Sequence, residues 1–309
     1  MKKRISYILF LIATIIWGFA FVAQKNATLI PPFAVGAIRS GMAVLFLLAL
    51  IPFTDRLTKN GRRLLHPKTV LDFNKNEIVG GCVLGVIITV ASTFQQYGIE
   101  DTDAGKAAFI TALYVVIVPI LSSLFGRKPS IFSLVSIPIA IIGFYFLCVT
   151  PGESFVTSDL MILVCAAIFA CHIVSVDRLS PGCDGVRMSC IQFLCSWALN
   201  TVMSLIVEGL PVWSDVLSVM PSLLFLGIGS SGIAYTLQII GQKDADPTVS
   251  SIILSLESVF GVIGGALILG ENLNLREYLG CAVVFAAVLM AQIEPNTFKK
   301  IIDKLKKEV

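Results

Sequence analysis

Glu257 is the residue of this chain with the strongest claim to chemistry. It is the only charged side chain between Pro247 and Gly270, a stretch long enough to cross a bilayer, and it falls near the middle. An ionisable group at mid-membrane depth costs roughly 3 kcal/mol on insertion scales, so it usually faces a cavity, a partner or a substrate path. Two readings fit: a cation or proton site, or a structural ion pair or hydrogen bond across helices. Ser250, Leu254, Gly261, Gly264 and Gly265 surround it at helical spacing and form a face of mostly small residues suited to close helix packing. Arg39 is also set inside an apolar run. It lies about 10 Å from the outer end of its helix at 1.5 Å per residue. From there it can snorkel or pair with a carbonyl or carboxylate, so gating, structural pairing and substrate binding all fit.

Other polar side chains fall within apolar runs. Gln95 and Gln238 each offer an amide that donates and accepts, which suits a zwitterionic solute; an interhelical hydrogen bond is the alternative. Tyr114 and Tyr235 can supply an aromatic wall with a hydroxyl handle. Trp17 can do the same, although its nearness to the outer interface favours an aromatic-belt role. His172, near the inner end of its segment, reads as a packed, hydrogen-bonded residue, or with Arg39 as part of a gate or ion pair, rather than as a proton relay. The eight cysteines fall in or beside apolar segments without metal-ligand spacing, which makes them packing residues. No phosphate loop, nucleophile elbow or paired-carboxylate helix is visible, so an enzyme is disfavoured and no metal or cofactor is called for.

The elements that must position these residues follow from composition. The chain has 309 residues, 56% hydrophobic and 14% charged, with mean hydropathy +0.88, where globular domains average about a quarter charged. Crossing a hydrocarbon core of ~30 Å takes about 20 apolar residues. Ten segments qualify: 5–24, 32–53, 78–97, 105–125, 130–149, 158–176, 186–207, 217–241, 247–269 and 274–293. Continuous rather than alternating runs point to helices, not a barrel. The basic Lys2-Lys3-Arg4 leader is read as flanking a first crossing rather than a cleaved signal. If the N-terminus is cytoplasmic, all but Lys25, Arg39, Lys106 and Arg276 of the twenty-three lysines and arginines lie on the inner side. That bias places both termini in the cytoplasm and the Glu100 to Asp103 turn outside.

The chain also carries an internal duplication. Ala91-Ser-Thr-Phe-Gln-Gln-Tyr-Gly98 and Ala234-Tyr-Thr-Leu-Gln-Ile-Ile-Gly241 match without a gap at four of eight positions. At the same offset Asp103 aligns with Asp246, Gln95 with Gln238 and Tyr114 with Glu257. Both copies then run to a glycine turn, Phe125-Gly126-Arg127 and Leu269-Gly270-Glu271. Residues 1–150 and 151–296 thus form two five-helix units, and because five is odd the second enters from the opposite face. The fold class is an all-α membrane protein of ten transmembrane helices in two inverted repeats. Such an architecture places a substrate site near the midplane and suits alternating access. The tail, 297–309, carries an apolar stripe beneath lysines and reads as an interfacial helix on an anionic leaflet, not as a nucleic-acid binder.

Trp17-Gly18, Ala37-Ile38-Arg39-Ser40 and Leu256-Glu257-Ser258-Val259-Phe260 leading to Leu269-Gly270-Glu271 resemble the EamA-type branch of the drug/metabolite transporter superfamily. The resemblance covers essentially the whole chain. It implies an exporter of small metabolites, such as amino acids or drug-like molecules, in the cytoplasmic membrane. The family often has proline after the carboxylate, where this chain has Ser258, and that departure predicts a straighter ninth helix. The expected partners are a small-molecule substrate, protons as a coupling ion and membrane lipids, with the protein a monomer or homodimer. Uptake or exchange, as in a nucleotide-sugar-like carrier, is the alternative within transport, and a membrane-embedded enzyme or scaffold the alternative outside it.

Overall fold

The structure, a computed structural model, describes residues 2–57, 72–126, 131–148, 156–245 and 247–291. The expected interfacial tail, most of the basic loop, Arg127 and Asp246 lie outside the described residues. Among those described every regular element is a helix. Eight helical runs, from Arg4–Leu29 to Val249–Leu269, are long and apolar enough to cross a membrane.

In chain order, α1 (Lys2–Asn26) and α2 (Pro32–Leu57) flank a short 3-10 turn, and α3 (Lys75–Gly98) leads to α4 (Ala104–Thr111) and α5 (Tyr114–Ser123). Next come α6 (Ile131–Cys148), α7 (Thr157–Leu179), α8 (Gly185–Met203) and the short α9 (Trp213–Ser218). α10 (Met220–Leu224) passes through a wide π-helical stretch, Phe225–Ala234, into α11 (Tyr235–Gln242). α12 (Pro247–Leu254), α13 (Glu257–Gly264) and α14 (Leu275–Ala291) complete the chain. The apolar runs are interrupted by polar start signals. Asn74 and Glu77 open α3 with reciprocal side-chain-to-backbone bonds of 2.8 and 3.0 Å, and Asn274 with Glu277 opens α14 in the same way. Each box satisfies amides that helix geometry leaves without partners. Gly126 and Gly270 end α5 and the run after α13 with φ of +87° and +70°, a conformation that glycine adopts without Cβ strain.

The expectation of a straight ninth helix is corrected. The run breaks at Ser255-Leu256 without a proline, because Leu256, Ser258 and Val259 donate to the carbonyls three residues back. The Ser255 and Ser258 hydroxyls bond the Ile252 and Ser255 carbonyls at 2.7 and 2.8 Å, competing with the regular ladder and tightening the turn. The fourth run breaks in the same manner at Ala112-Leu113, where Leu113, Val115 and Val116 donate three residues back. Tyr114 and Glu257 are the first residues beyond the two breaks.

α1 packs on α11, α12, α13 and α4, while α7 packs on α3, α4 and α5. α2 lies along α8 and the π-helical stretch, α3 also lies along α8, and α6 pairs with α14. At the crossing of α1, α4 and α13 the backbones nearly touch. A Cβ on Gly18 would come within 2.2 Å of the Phe260 Cβ, and one on Gly261 within 2.4 Å of the Ala108 Cβ. Leu45, Leu124, Ile141, Ile206 and Leu267 are exposed, whereas Arg39, Gln95, His172, Gln238 and Glu257 are buried. Apolar outside and polar inside is the distribution that a hydrocarbon solvent selects.

Candidate functional site

The helices converge on a small central cavity. α1 contributes Trp17 and Gln24, α2 Arg39, α3 Gln95, and the broken fourth run Thr111 and Tyr114. The later helices contribute Phe169, Ser230, Tyr235, Gln238 and Glu257. Seven of the eight residues singled out from sequence thus meet around one space. The exception is His172, which lies behind the wall with its Nε2 3.1 Å from the Gln192 Oε1 and its ring edge-on to Tyr235 at 5.8 Å. It is fully buried and holds that aromatic in place from outside the cavity.

Two expectations are corrected here. Trp17 is not in an interfacial belt: it is 8% exposed, and its ring lies 4.6 Å from that of Tyr235, which also packs on Phe193 at 5.6 Å. Arg39 does not snorkel. Its side chain turns inward, and the guanidinium donates to the Ser231 and Ser230 hydroxyls at 3.0 and 3.2 Å. The serines come from the π-helical stretch, where the wider turn brings neighbouring side chains toward one face.

Glu257 is buried, and the Tyr114 phenol stands against its carboxylate within reach of a side-chain hydrogen bond. Tyr235 stands within electrostatic reach of both Glu257 and Arg39. Among the described residues neither ionisable group meets a side chain of opposite charge. The Gln95 Nε2 donates to the Thr111 hydroxyl at 3.2 Å, which spans α3 and α4 as an interhelical bond would. Among the described residues the Gln238 Oε1, Gln24 Oε1 and Trp17 Nε1–H have no hydrogen-bond partner. Each buried polar atom left in this state costs about 1–3 kcal/mol. Several clustered around one space mark a site for a polar ligand or ordered water.

Sequence reasoning missed Gln24, Thr111 and Ser230, and took Glu271 only as part of a motif. Thr111 had a signal, since the offset that carries Gln95 onto Gln238 carries it onto Leu254. Gln24 sits at a segment end, and Ser230 becomes meaningful only once Arg39 is seen to reach it. Glu271 is outside the cavity but positions it: its two carboxylate oxygens accept from the Ala104 and Gly105 amides at 2.7 and 3.0 Å, capping α4. Gly265 leaves the room, as a Cβ there would fall within 2.2 Å of that carboxylate.

A solved crystal structure is similar over 93% of this chain and 96% of its own, with TM-score 0.65 at 17% identity, which establishes a shared fold. An uncharacterized transporter of Archaeoglobus fulgidus is 26% identical over 288 residues, covering 91% of this chain and 84% of the relative. The uncharacterized transporter YoaV of Bacillus subtilis is 23% identical over 293 residues, covering 92% and 94%. The profile of the EamA-like transporter family matches residues 4–149 and again 156–292. With two family matches spanning nearly its whole length and a polar cavity enclosed by apolar helices, the chain is a multi-pass membrane protein that belongs to the EamA-like transporter family.

Proposed function

We propose that this transporter carries a small organic metabolite outward across the cytoplasmic membrane by alternating access. The observation that carries the reading is the placement of Glu257 and Arg39 in one cavity without a counter-charge among the described residues. A buried charge is stable only when paired or bonded. A solute with an amine at one end and an anionic or accepting group at the other would complete both. Gln95, Gln238, Tyr114, Tyr235 and Trp17 would orient it through their amides, hydroxyls and ring faces. An amino acid has this chemistry, as do zwitterionic drug-like molecules. Glu257 either holds the amine as a carboxylate or exchanges a proton during the cycle.

The halves, 1–150 and 151–296, are read as inverted repeats in a ten-crossing fold. Support comes from the two family matches and from the two helix breaks at one sequence offset. The packing also repeats with the halves exchanged: α1 on α13 is answered by α7 on α5, and α3 on α7 by α11 on α1. The charge bias of the loops supports cytoplasmic termini.

Metabolite levels inside and outside cells that overproduce the protein, compared with cells that lack it, test the reading. The expected result is one or a few zwitterionic metabolites depleted inside and enriched outside on overproduction. Enrichment inside would reverse the direction to uptake, and an unchanged profile across growth conditions would count against transport. For orientation, a cysteine at Glu100 should react with an impermeant reagent in intact cells and one at Asn60 should not.

A further inference from the structure

A narrow seam, closed here too tightly to hold a water, runs between the first turns of α2 and the last turns of α3, lined by Gly36, Ser92, Thr93 and Gln96. Arg39 lines this seam as well as the central cavity. The rest of the partition is a pair of amides: the Gln96 Nε2 donates to the Gln24 backbone carbonyl at 3.1 Å, and Gln24 in turn faces the cavity. Among the described residues the Gln96 Oε1 and the Thr93 hydroxyl are buried without hydrogen-bond partners, and Gln96 as a residue is 3% exposed. A packing interface has no reason to leave two polar atoms unsatisfied beside a cation. A passage for polar solute does.

We propose that this seam is the closed outer port of the central cavity and that Arg39, tethered on the cavity side to Ser230 and Ser231, is an anion-selective plug. The proposal rests on the transport reading and on its outward placement of this end of the molecule. The plug works by exchange of partners. Two serine hydroxyls hold the guanidinium at the inner end of the seam, and they are neutral acceptors that an anionic group on a solute outcompetes, since charge-assisted bonds are roughly twice as strong. An arriving carboxylate, sulfonate or phosphate therefore draws Arg39 off the serines and passes. A cation meets a buried positive charge and is turned back. Glu257 waits deeper in the cavity for the cationic end, so the port sorts solutes by one end and the cavity by the other. The two serines belong to the second half and Arg39 to the first, so relative motion of the halves makes or breaks the tether.

The test uses the full-length protein with its eight cysteines replaced and single cysteines returned at Thr93 in the seam or Gln238 in the cavity. The probes are the anionic sulfonatoethyl and the cationic trimethylammonium-ethyl methanethiosulfonates, applied to right-side-out and inside-out vesicles. Both cysteines should react in right-side-out vesicles, and Gln238→Cys should react about tenfold or more faster with the anionic reagent. Arg39→Gln should bring that ratio near one, and Arg39→Lys should keep most of it. Should Arg39→Gln fail to fold, Thr93→Trp serves instead: filling the seam should slow outer labelling of Gln238→Cys at least tenfold and leave inner labelling unchanged. The port is overturned if outer labelling of Gln238→Cys ignores Thr93→Trp, or if the charge preference survives Arg39→Gln. It is also overturned if Thr93→Cys reacts only with a lipid-soluble maleimide, which would make the seam a groove facing lipid. Reaction of both cysteines only in inside-out vesicles supports the port and reverses the orientation instead.

Discussion

Tyr114 and Glu257 each open a helix directly after a single tightened turn, and the phenol of one lies against the carboxylate of the other across the central cavity. Breaking a helix frees backbone and lets the first side chain beyond the break point into the space. In lipid such a break is tolerated only where protein or a cavity surrounds it. Both breaks meet that condition.

Glu257→Gln keeps the shape of the side chain and removes its charge. Transport in proteoliposomes should fall by about tenfold or more, the scale of a lost charge-assisted contact, with monodispersity in detergent retained. Glu257→Asp should retain part of the activity. If the carboxylate carries a proton, counterflow survives in Glu257→Gln while pH-driven transport fails; if it holds an amine, both fail. Normal transport by the folded Gln variant would assign the carboxylate to structure.

Tyr114→Phe removes a hydroxyl whose contact in the protein is the Glu257 carboxylate. Thermal stability should fall by no more than about 1.5 kcal/mol, the scale of one hydrogen bond, while apparent affinity for substrate weakens about two- to tenfold. A large loss of stability with unchanged affinity would make the phenol a packing group.

Gly261→Ala places a methyl 2.4 Å from the Ala108 Cβ. Because α1, α4 and α13 cross there, the backbones must separate, at a cost of about 1–3 kcal/mol. Gly229→Ala is the control, as its nearest contact would be an ordinary 3.7 Å. Melting temperatures of the two variants in detergent should differ clearly.

Glu271→Ala removes both acceptors from the start of α4 and should cost about 1–3 kcal/mol, the range for hydrogen bonds to a charged group. Since α4 ends at Thr111, which holds Gln95, transport should fall alongside stability. Glu271→Gln should recover part of the stability by retaining one acceptor.

Outside the spanning helices, burial first, then Asp101 and Glu208, raise the Glu100 carboxyl above the usual carboxylate range against the opposing pull of Lys25. A raised acid binds its proton more tightly in the folded state, so its contribution to stability falls as pH rises through that range. Glu100→Gln should therefore raise the melting temperature slightly at pH 7 and leave it unchanged at acid pH. An equal effect at both would exclude the electrostatic account.

The chain by itself determined the solvent it folds in, the helical nature of its apolar runs and the positions where polar groups interrupt them, because these depend on local composition over about 20 residues. Glu257, Gln238 and Tyr114 were legible because a lone polar group in a long apolar run has few bland explanations. What only the tertiary structure decided is how those groups face one another. Arg39 reaches Ser230 and Ser231 across 191 and 192 residues of chain, and Trp17 leaves the interface to pack at a tilt against Tyr235. Helix rotation about its own axis selects such partners, and rotation is set by close contacts such as Gly18 against Phe260 rather than by hydropathy. The break before Glu257 was hidden for a related reason: no proline marks it, and serine hydroxyls compete with the backbone only within the particular turn they tighten.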